Sequence, residues 1–325
     1  EGKYDHNQSV QSSAQEVLAA IGELRRRGLA GSTRIGLWGI SRAGWICPLV
    51  IEQLPSVAFW ISVSGTDAKE SFGYLLESNF KIEGRSEAEA RALTAEWRRG
   101  LELFRKGGTW VEYLQATERL RRDPFYDAFF HEDGTDEGYR ANQRRFMAEN
   151  HPFDEASGLM IYVPGFRETL AKIQCPVLAL FGEKDSIVDW RSTMTLYRET
   201  IGRSEGALLS IKTFPACNHN LQQCQTGGFR ETRTSPPQPA CAGYIDAISE
   251  WIRARGLARG SAQVDCRSRP ALRFPLTGGP SVTRHAPCAL PPLTRARRPG
   301  RRPSHATRRD APDRLFLVRI RFETS

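Results

Sequence analysis

Four short apolar runs, separated by segments with helical periodicity, constrain the fold of this chain more than any other feature. Each run is almost continuously apolar, which is typical of a strand buried on both faces of a parallel sheet. The runs are residues 34–38, 57–63, 176–181 and 207–214. Helical segments follow or precede them at residues 13–28, 43–54, 190–201 and 241–255. This alternation predicts an α/β fold, with a mostly parallel sheet covered by helices on both faces.

The first and last of these helices each place apolar side chains on one face, at Val17, Ile21 and Leu24, and at Ile245, Ile248 and Ile252. Spacings of three and four residues put such side chains on one side of a helix, which we expect to face the sheet. Gly28 is the expected end of the first helix.

The alternation stops between residues 66 and 158, where the sequence is charged and helical without apolar runs. Ser86 with Glu89, and Thr109 with Glu112, form the capping-box pattern of a helix start. We therefore predict a helical insertion here. The chain is expected to divide into a first core part (1–65), a helical cap (66–158), a second core part (159–256) and a tail (257–325).

The net positive charge of the chain comes from the tail. Residues 257–325 contain 15 Arg, no Lys, four acidic residues and no Trp or Tyr, whereas the whole chain has a net charge of +9. Such a segment cannot bury enough apolar surface to offset its ordering entropy, so we predict a disordered extension. The remainder is close to neutral, which argues against general binding of nucleic acid or anionic membranes. A nucleic-acid binder acting through the tail is the alternative.

The segment Gly39-Ile40-Ser41-Arg42-Ala43-Gly44 lies between a predicted buried strand and a predicted helix. A serine in such a strand–turn–helix context can be a strained, exposed nucleophile. The turn crowds the residues two before and two after the serine, and Gly39 and Ala43 are small enough. The simpler interpretation is an ordinary helix cap, in which the Ser41 side chain bonds a backbone N–H.

A serine nucleophile needs a base and an acid that orients the base. Of the four histidines before the tail (His6, His131, His151 and His219), only His219 follows a predicted strand beyond the insertion. Asp185 lies in the turn that leaves the preceding strand, with Glu183 as a weaker alternative. Asp189 begins the next helix and is interpreted as its N-cap.

Taken together, GLWGISRAGW, CPVLALFGEKDSIVDW and FPACNHNL resemble the α/β-hydrolase superfamily. Within it the chain is similar to bacterial serine hydrolases such as the dienelactone hydrolase and prolyl-oligopeptidase-like esterase groups. The resemblance covers about residues 10–256. It implies that Ser41 attacks an acyl carbonyl, His219 transfers the proton and Asp185 orients His219. It also implies that the backbone N–H of Arg42 is an oxyanion-hole donor, with Gly39, Ala43 and Gly44 shaping the turn.

The resemblance implies a serine hydrolase that cleaves a carboxylic ester of a small acyl substrate. A serine peptidase, a thioesterase and a non-catalytic binding protein of the same fold are the alternatives. The family has further strands before the elbow, so we expect an N-terminally truncated chain that lacks a second oxyanion donor and has weak or no activity. The compartment, either cytoplasmic or secreted from a bacterium, and the oligomeric state stay open.

The sequence predicts no cofactor, no metal and no membrane partner. The seven Cys form no CxxC pair, so a zinc site is not expected. No stretch approaches the ~20 apolar residues of a membrane helix. Cys217 and Cys224 flank His219, and a disulfide between them would need an oxidising compartment. Two free thiols are the default prediction.

Overall fold

A parallel sheet forms the centre of the computed structural model, which describes residues 8–130, 134–203, 209–257 and, as backbone only, 316–320. The strand order is β4-β3-β2-β1-β5. Every pairing within the sheet is parallel. The strands are β1 (Ile35–Ile40), β2 (Phe59–Val63), β3 (Val177–Gly182), β4 (Leu209–Phe214) and β5 (Phe316–Ile320). The four predicted apolar runs are therefore the first four strands, with ends shifted by one or two residues.

The carboxyl ends of the strands are level with one another, which matters for the site. Ile40 is paired with Val63, and Val63 is paired with Leu180. At the next pairing Gly182 is opposite Phe214. Residues that follow β1, β2, β3 and β4 therefore emerge at one edge of the sheet.

Helices account for most of the remaining described residues. They are α1 (Val10–Arg26), α2 (Ala43–Gln53), α3 (Phe72–Ile82), α4 (Glu87–Lys106), α5 (Trp110–Ala116), α6 (Glu118–Arg121), α7 (Pro124–Phe130), α8 (Asp136–Ala148), α9 (Phe166–Ala171), α10 (Trp190–Glu199), α11 (Phe229–Thr234) and α12 (Tyr244–Ala254), with a 3-10 turn at Ile201–Arg203. Among the described residues, no helix is long and apolar enough to span a bilayer.

Helices cover both faces of the sheet, as predicted. Side chains alternate across the sheet along each strand. In β2, Trp60 belongs to the core shared with α1, α2, α9 and α10, whereas Phe59 and Ile61 belong to the core shared with α12. In β3, Ala179 faces the first core and Leu180 faces the second. The strands are apolar at almost every position because both faces of the sheet are buried.

The segment predicted as a helical insertion contains α3 to α8. Both predicted capping boxes are formed, by Ser86 with Glu89 at α4 and by Thr109 with Glu112 at α5. Residues 86–120 are all described and contain no strand. The insertion has a core of its own, in which Phe80 packs edge-on against Phe125.

The predicted face of the last helix is wrong in one position. Ile245 is 53% exposed, whereas Ala247, Ile248 and Trp251 are buried against the sheet. The helix begins at Tyr244 and uses the larger Trp251 ring, which packs edge-on against Phe59. The predicted face and the observed face share Ile248 and are otherwise rotated by about one residue around the helix. The sequence pattern does not distinguish two faces that lie so close together.

Most of the segment predicted as a disordered tail lies outside the described residues. The exceptions are Leu257, which is buried against the sheet, and β5, which pairs in parallel with β1, with Phe316 opposite Ile35 and Ile320 opposite Gly39. The structure corrects the prediction for the five residues of β5. The run FLVRI is rich in aromatic and β-branched residues, and it occupies the edge of β1 that would otherwise expose unpaired backbone groups.

Candidate active site

Ser41 lies in the turn between β1 and α2 with a backbone φ of 55°. Positive φ is uncommon for a residue with a side chain and is often a mark of functional strain. Two hydrogen bonds hold the turn: Ser41 N donates to Val63 O at 2.9 Å, and Gly44 N donates to Ser41 O at 2.7 Å. The turn therefore has the strained backbone expected of an elbow.

Close packing requires a residue without a side chain at Gly44, three positions after Ser41. Gly39, Ala43 and Gly44 are buried. A Cβ at Gly44 would lie 2.8 Å from Thr66 N and 2.9 Å from Gly65 Cα, in the chain that leaves β2. A side chain at Gly44 would push the turn away from the next strand, so the glycine fixes the position of Ser41.

The helix-cap interpretation of Ser41 has no support in the geometry. The N-cap residue of α2 is Arg42, and no side chain caps the start of this helix. The half-buried Arg42 directs its guanidinium towards the carbonyl of Gln8. Its backbone N–H lies at the start of α2, the position expected of an oxyanion donor.

Asp185 is held in a turn after β3 by three hydrogen bonds that its carboxylate accepts. Oδ1 accepts from the backbone N–H groups of Ile187 at 2.9 Å and Val188 at 3.0 Å. Oδ2 accepts from His219 Nδ1 at 2.8 Å, and Asp185 is 3% exposed. This geometry orients the carboxylate towards the imidazole and leaves it no freedom to rotate away.

The two other carboxylates near this turn have different partners. Glu183 Oε1 accepts a hydrogen bond from Thr213 Oγ1 at 2.7 Å. Asp189 caps α10, accepting from the N–H groups of Arg191 and Ser192, both at 3.1 Å. The predicted N-cap role of Asp189 is confirmed, and the structure places Asp185 alone beside the histidine.

His219 lies in the loop after β4, and its backbone is fixed as firmly as its ring. Ser64 Oγ donates to His219 O at 2.7 Å. Asn218 Oδ1 accepts from the N–H groups of Asn220 and Gln222 at 3.0 and 3.1 Å, which closes the loop on itself. His151, by contrast, pairs with Glu149 at 2.6 Å, while His6 and His131 lie outside the described residues.

The expected hydrogen bond between Ser41 Oγ and His219 Nε2 is not formed. His219 Nε2 is buried and has no hydrogen-bond partner in the described part of the chain. The backbone at both positions is held by the end of β2, through Val63 to Ser41 and through Ser64 to His219. In enzymes without bound substrate, catalytic hydrogen bonds are often long or misaligned. No other group bonds Nε2 of His219 in the described part of the chain, so this nitrogen stays available to Ser41 Oγ.

Two polar residues that support the site were not singled out from the sequence. Ser64 directly follows β2, has a φ of 46° and donates a hydrogen bond to the His219 carbonyl. Tyr74, in α3, donates its hydroxyl hydrogen bond to Asp185 O at 3.1 Å. A serine directly after a buried strand was the available signal for Ser64. Tyr74 had no local signal, because it reaches the acid turn only through packing of the insertion.

The structure corrects the predicted state of the cysteines beside the histidine loop. Cys217 forms a disulfide with Cys241, and Cys224 is a free thiol. Cys241 N also donates to Leu221 O at 2.9 Å. The bond therefore ties the histidine loop to the segment that precedes α12. Cys241 is distant in sequence, so only the fold shows that it returns to this loop.

A cavity of about 760 Å³ opens beside the elbow. Its wall includes Arg42 and Trp45 from the start of α2 and Tyr162 from the chain that leaves the insertion. This volume lies within the range of small-molecule sites. No group of three His, Cys, Asp or Glu side chains in the described residues could hold a metal ion. The absence of a metal or cofactor in the reaction stays a prediction.

No protein-family model and no curated protein sequence matches the chain. Solved structures with similar folds include Est816, described as an N-acyl homoserine lactone degrading enzyme, at 15% identity over 78% of both chains with a TM-score of 0.33. The meta-cleavage product hydrolase CumD is 13% identical over 78% of this chain and 75% of its own, with a TM-score of 0.36. An acylaminoacyl peptidase of Pyrococcus horikoshii is 16% identical over 69% of this chain and 24% of its own, at 0.31. Similarity at this level says nothing about substrate or reaction.

Proposed function

We propose that this chain, which has the α/β-hydrolase fold, is a serine hydrolase that cleaves carboxylic esters with Ser41, His219 and Asp185. The observation that carries the proposal is the buried Asp185–His219 pair at the same sheet edge as the strained turn of Ser41. Three side chains from three separate strand ends are collected there, in the chain order serine, acid, histidine. The positive φ of Ser41 supports a functional role for this turn.

In the proposed reaction His219 Nε2 accepts the proton of Ser41 Oγ as the oxygen attacks the ester carbonyl. Nδ1 keeps its hydrogen towards Asp185, which fixes the tautomer and stabilises the imidazolium that forms. The proton on Nε2 then passes to the departing alkoxide, so the alcohol leaves and an acyl-enzyme on Ser41 remains. Water then gives a proton to the same nitrogen and attacks the acyl carbon. The bond between the acyl carbon and Ser41 Oγ breaks, the acid is released, and Nε2 returns the proton to Ser41 Oγ.

The backbone N–H of Arg42 is the proposed donor to the oxyanion. It lies at the start of α2, where the helix dipole favours negative charge. Loss of a single oxyanion donor lowers turnover by about 10²–10³. Because Arg42 is the one donor we assign, we expect slow turnover, and labelling of the serine is a better first assay than turnover.

A fluorophosphonate probe tests this proposal, because it reacts with activated serine hydroxyls. We expect labelling of the full chain at Ser41, located by peptide mass spectrometry, and loss of labelling in Ser41→Ala. Ser71→Ala is the matched control, since Ser71 precedes α3 without capping it. Absence of labelling in the folded wild-type chain would favour a non-catalytic binding protein of the same fold.

A substrate panel then separates the remaining hydrolase alternatives. The ester hypothesis predicts that p-nitrophenyl butyrate is cleaved faster than butyryl thioesters or p-nitroanilides of the same acyl chain. Preference for the anilide would indicate a peptidase, and preference for the thioester a thioesterase. The Cys217–Cys241 disulfide supports an oxidising compartment, such as the bacterial periplasm or exterior, as the proposed location.

A further inference from the structure

The helical insertion contains a second cavity, of about 770 Å³, that the proposed chemistry does not use. Its walls are mainly aromatic and include Trp97, Trp110, Tyr113 and Phe130. The rings of Trp110 and Tyr113 are stacked, with centroids 5.5 Å apart. Walls of this kind favour a flat apolar group, because a bound ring can stack on them or meet them edge-on.

Two guanidinium groups line the same cavity. Arg121 lies with its Cζ 6.0 Å from the centre of the Trp110 ring. Arg145 belongs to α8 and also lines the cavity. Neither forms an ion pair with a carboxylate in the described part of the chain, and no described Asp or Glu lines the cavity. Among the described residues, the lining of this cavity therefore carries two positive charges and no negative charge.

Tyr139 supplies a buried donor that is not used by the protein. Its side chain lines the cavity, the residue is 7% exposed, and its hydroxyl has no hydrogen-bond partner among the described residues. Burial, with Tyr113 and Glu112 adding to it, raises the pKa of Tyr139 to about 12. The phenol therefore keeps its proton at neutral pH and can donate it. A buried polar group without a partner costs folding free energy, so a ligand that accepts this hydrogen bond would recover it.

We propose that this cavity binds an aromatic carboxylate. The ring lies against Trp110 and its aromatic neighbours, one carboxylate oxygen accepts a hydrogen bond from Tyr139, and Arg121 and Arg145 neutralise the charge. An aromatic carboxylate matches each feature of the cavity: its ring can stack on the aromatic walls, and its carboxylate can accept the hydrogen bond and pair with the two cations. A neutral aromatic would leave the cations without a counter-charge, and a cation would be repelled by them.

The aromatic cavity continues towards the elbow. Phe104, Asn142 and Arg145 line both this cavity and the one beside Arg42 and Trp45. If the proposed function holds, the carboxylate is the distal end of the substrate, which is then an ester with an aromatic acid at the end remote from Ser41. This assignment rests on the proposed function, whereas binding of the carboxylate itself does not need Ser41.

Calorimetric titration of the full chain with three naphthalenes of similar shape tests the proposal. These are 1-naphthoate, neutral 1-naphthalenemethanol and the cationic 1-naphthylmethylammonium ion. We expect 1-naphthoate to bind about tenfold more tightly than the neutral alcohol, and the cation to bind more weakly than both. Equal affinity for the acid and the alcohol, or no binding of 1-naphthoate, would overturn the proposal.

Variants locate the binding within this cavity. Tyr139→Phe should weaken 1-naphthoate binding about tenfold without lowering the melting temperature, because it removes an unpaired hydroxyl. Arg121→Gln should weaken binding at least about threefold. The matched control is Arg144→Gln, because Arg144 is exposed beside Arg145 and does not line the cavity. Unchanged binding in both Tyr139→Phe and Arg121→Gln would place the ligand elsewhere.

The Ser41→Ala variant separates the two proposals. It should bind 1-naphthoate as tightly as the wild-type chain while losing fluorophosphonate labelling. Labelling of the wild type without 1-naphthoate binding would leave the hydrolase proposal intact and overturn the cavity proposal. Binding of 1-naphthoate without fluorophosphonate labelling would leave the cavity proposal intact and overturn the hydrolase proposal.

Discussion

Asp185 and His219, 34 residues apart in sequence, are joined by a hydrogen bond of 2.8 Å between Oδ2 and Nδ1. Both are 3% exposed, and both loops are fixed by further hydrogen bonds to the backbone. A carboxylate in this position dictates which ring nitrogen carries the hydrogen, so Nε2 is left as the acceptor. Because Nε2 can accept a proton, the buried Asp185–His219 pair is suited to deprotonate a neighbouring serine.

Replacing Asp185 by Asn should lower kcat/KM for p-nitrophenyl butyrate by about 10⁴ while the fold persists. The amide oxygen can still accept from the N–H groups of Ile187 and Val188, so the turn is kept. The amide nitrogen, however, would donate to Nδ1 and impose the wrong tautomer. Steady-state kinetics and thermal unfolding measure the two effects separately.

Asp189→Asn is the control for this variant, since Asp189 caps α10 and does not contact His219. Its activity should stay within about twofold, because an Asn cap is nearly as good as Asp. Comparable losses in both variants would indicate a general effect of the turn rather than a role for Asp185 in orienting the histidine.

Ser41→Gly should unfold at higher denaturant than Ser41→Ala, although both lose labelling by the fluorophosphonate. The backbone φ of 55° is strained for any residue with a Cβ and free of that strain for glycine. The expected difference is about 1 kcal/mol in the free energy of unfolding. Urea titrations of the two variants measure it. Equal stabilities would mean that the turn relaxes and stores no strain at this residue.

Gly182→Ala should destabilise the chain by about 3 kcal/mol and disturb the histidine loop. A Cβ at this position would lie 2.3 Å from Asn218 O and 2.4 Å from Cys217 O, both backbone atoms. Gly22→Ala in α1 is the matched control, because nothing lies within 4 Å of its Cβ. That change should stabilise by about 0.5–1 kcal/mol through helix propensity. Similar stabilities of the two variants in chemical denaturation would refute the close packing.

The disulfide between Cys217 and Cys241 should stabilise the chain by about 3 kcal/mol, as expected for a bond that closes a loop of 24 residues. Cys241→Ser should therefore lower the melting temperature and slow serine labelling, because the histidine loop loses its tether. Cys224→Ser is the control, since Cys224 is a free thiol on the same loop. A larger effect of Cys224→Ser would mean that this thiol is the true partner of Cys217.

A pH effect is expected where the insertion joins the core. Lys69 Nζ lies 2.8 Å from Asp154 Oδ2, and the hydrogen bonds from Lys69 and Ser157 lower the pKa of Asp154 to about 2. A lowered carboxyl pKa stabilises the fold above the ordinary value near 4, and this contribution is lost as the pH falls towards 2.

Unfolding measured from pH 5 to pH 2 should thus show a steeper loss of stability in the wild type than in Asp154→Asn. Glu155→Gln is the control, because the neighbouring Glu155 is exposed and should leave the slope unchanged. Parallel profiles for the wild type and Asp154→Asn would show that the ion pair with Lys69 makes no contribution.

Much of the core followed from local patterns in the sequence. The apolar runs became β1 to β4, and the capping pairs at Ser86 and Thr109 became helix starts. Such signals are local because a helix or strand is specified by the period of its own side chains. The placement of Ser41, Asp185 and His219 at one edge of the sheet followed as well, because each lies just after a parallel strand, and these strands end at the same edge.

Tertiary structure decided which segments that are distant in sequence contact one another. The partner of Cys217, the exposed face at Ile245 and the pairing of β5 with β1 all depend on where the chain returns after a long excursion. The same holds for Tyr139, whose unpaired hydroxyl becomes visible only when the helices of the insertion pack around it. The sequence by itself determined the elements and the order of the site residues, since those depend on neighbours in the chain. Packing decided the contacts, since these depend on which surfaces meet once the solvent between them is excluded.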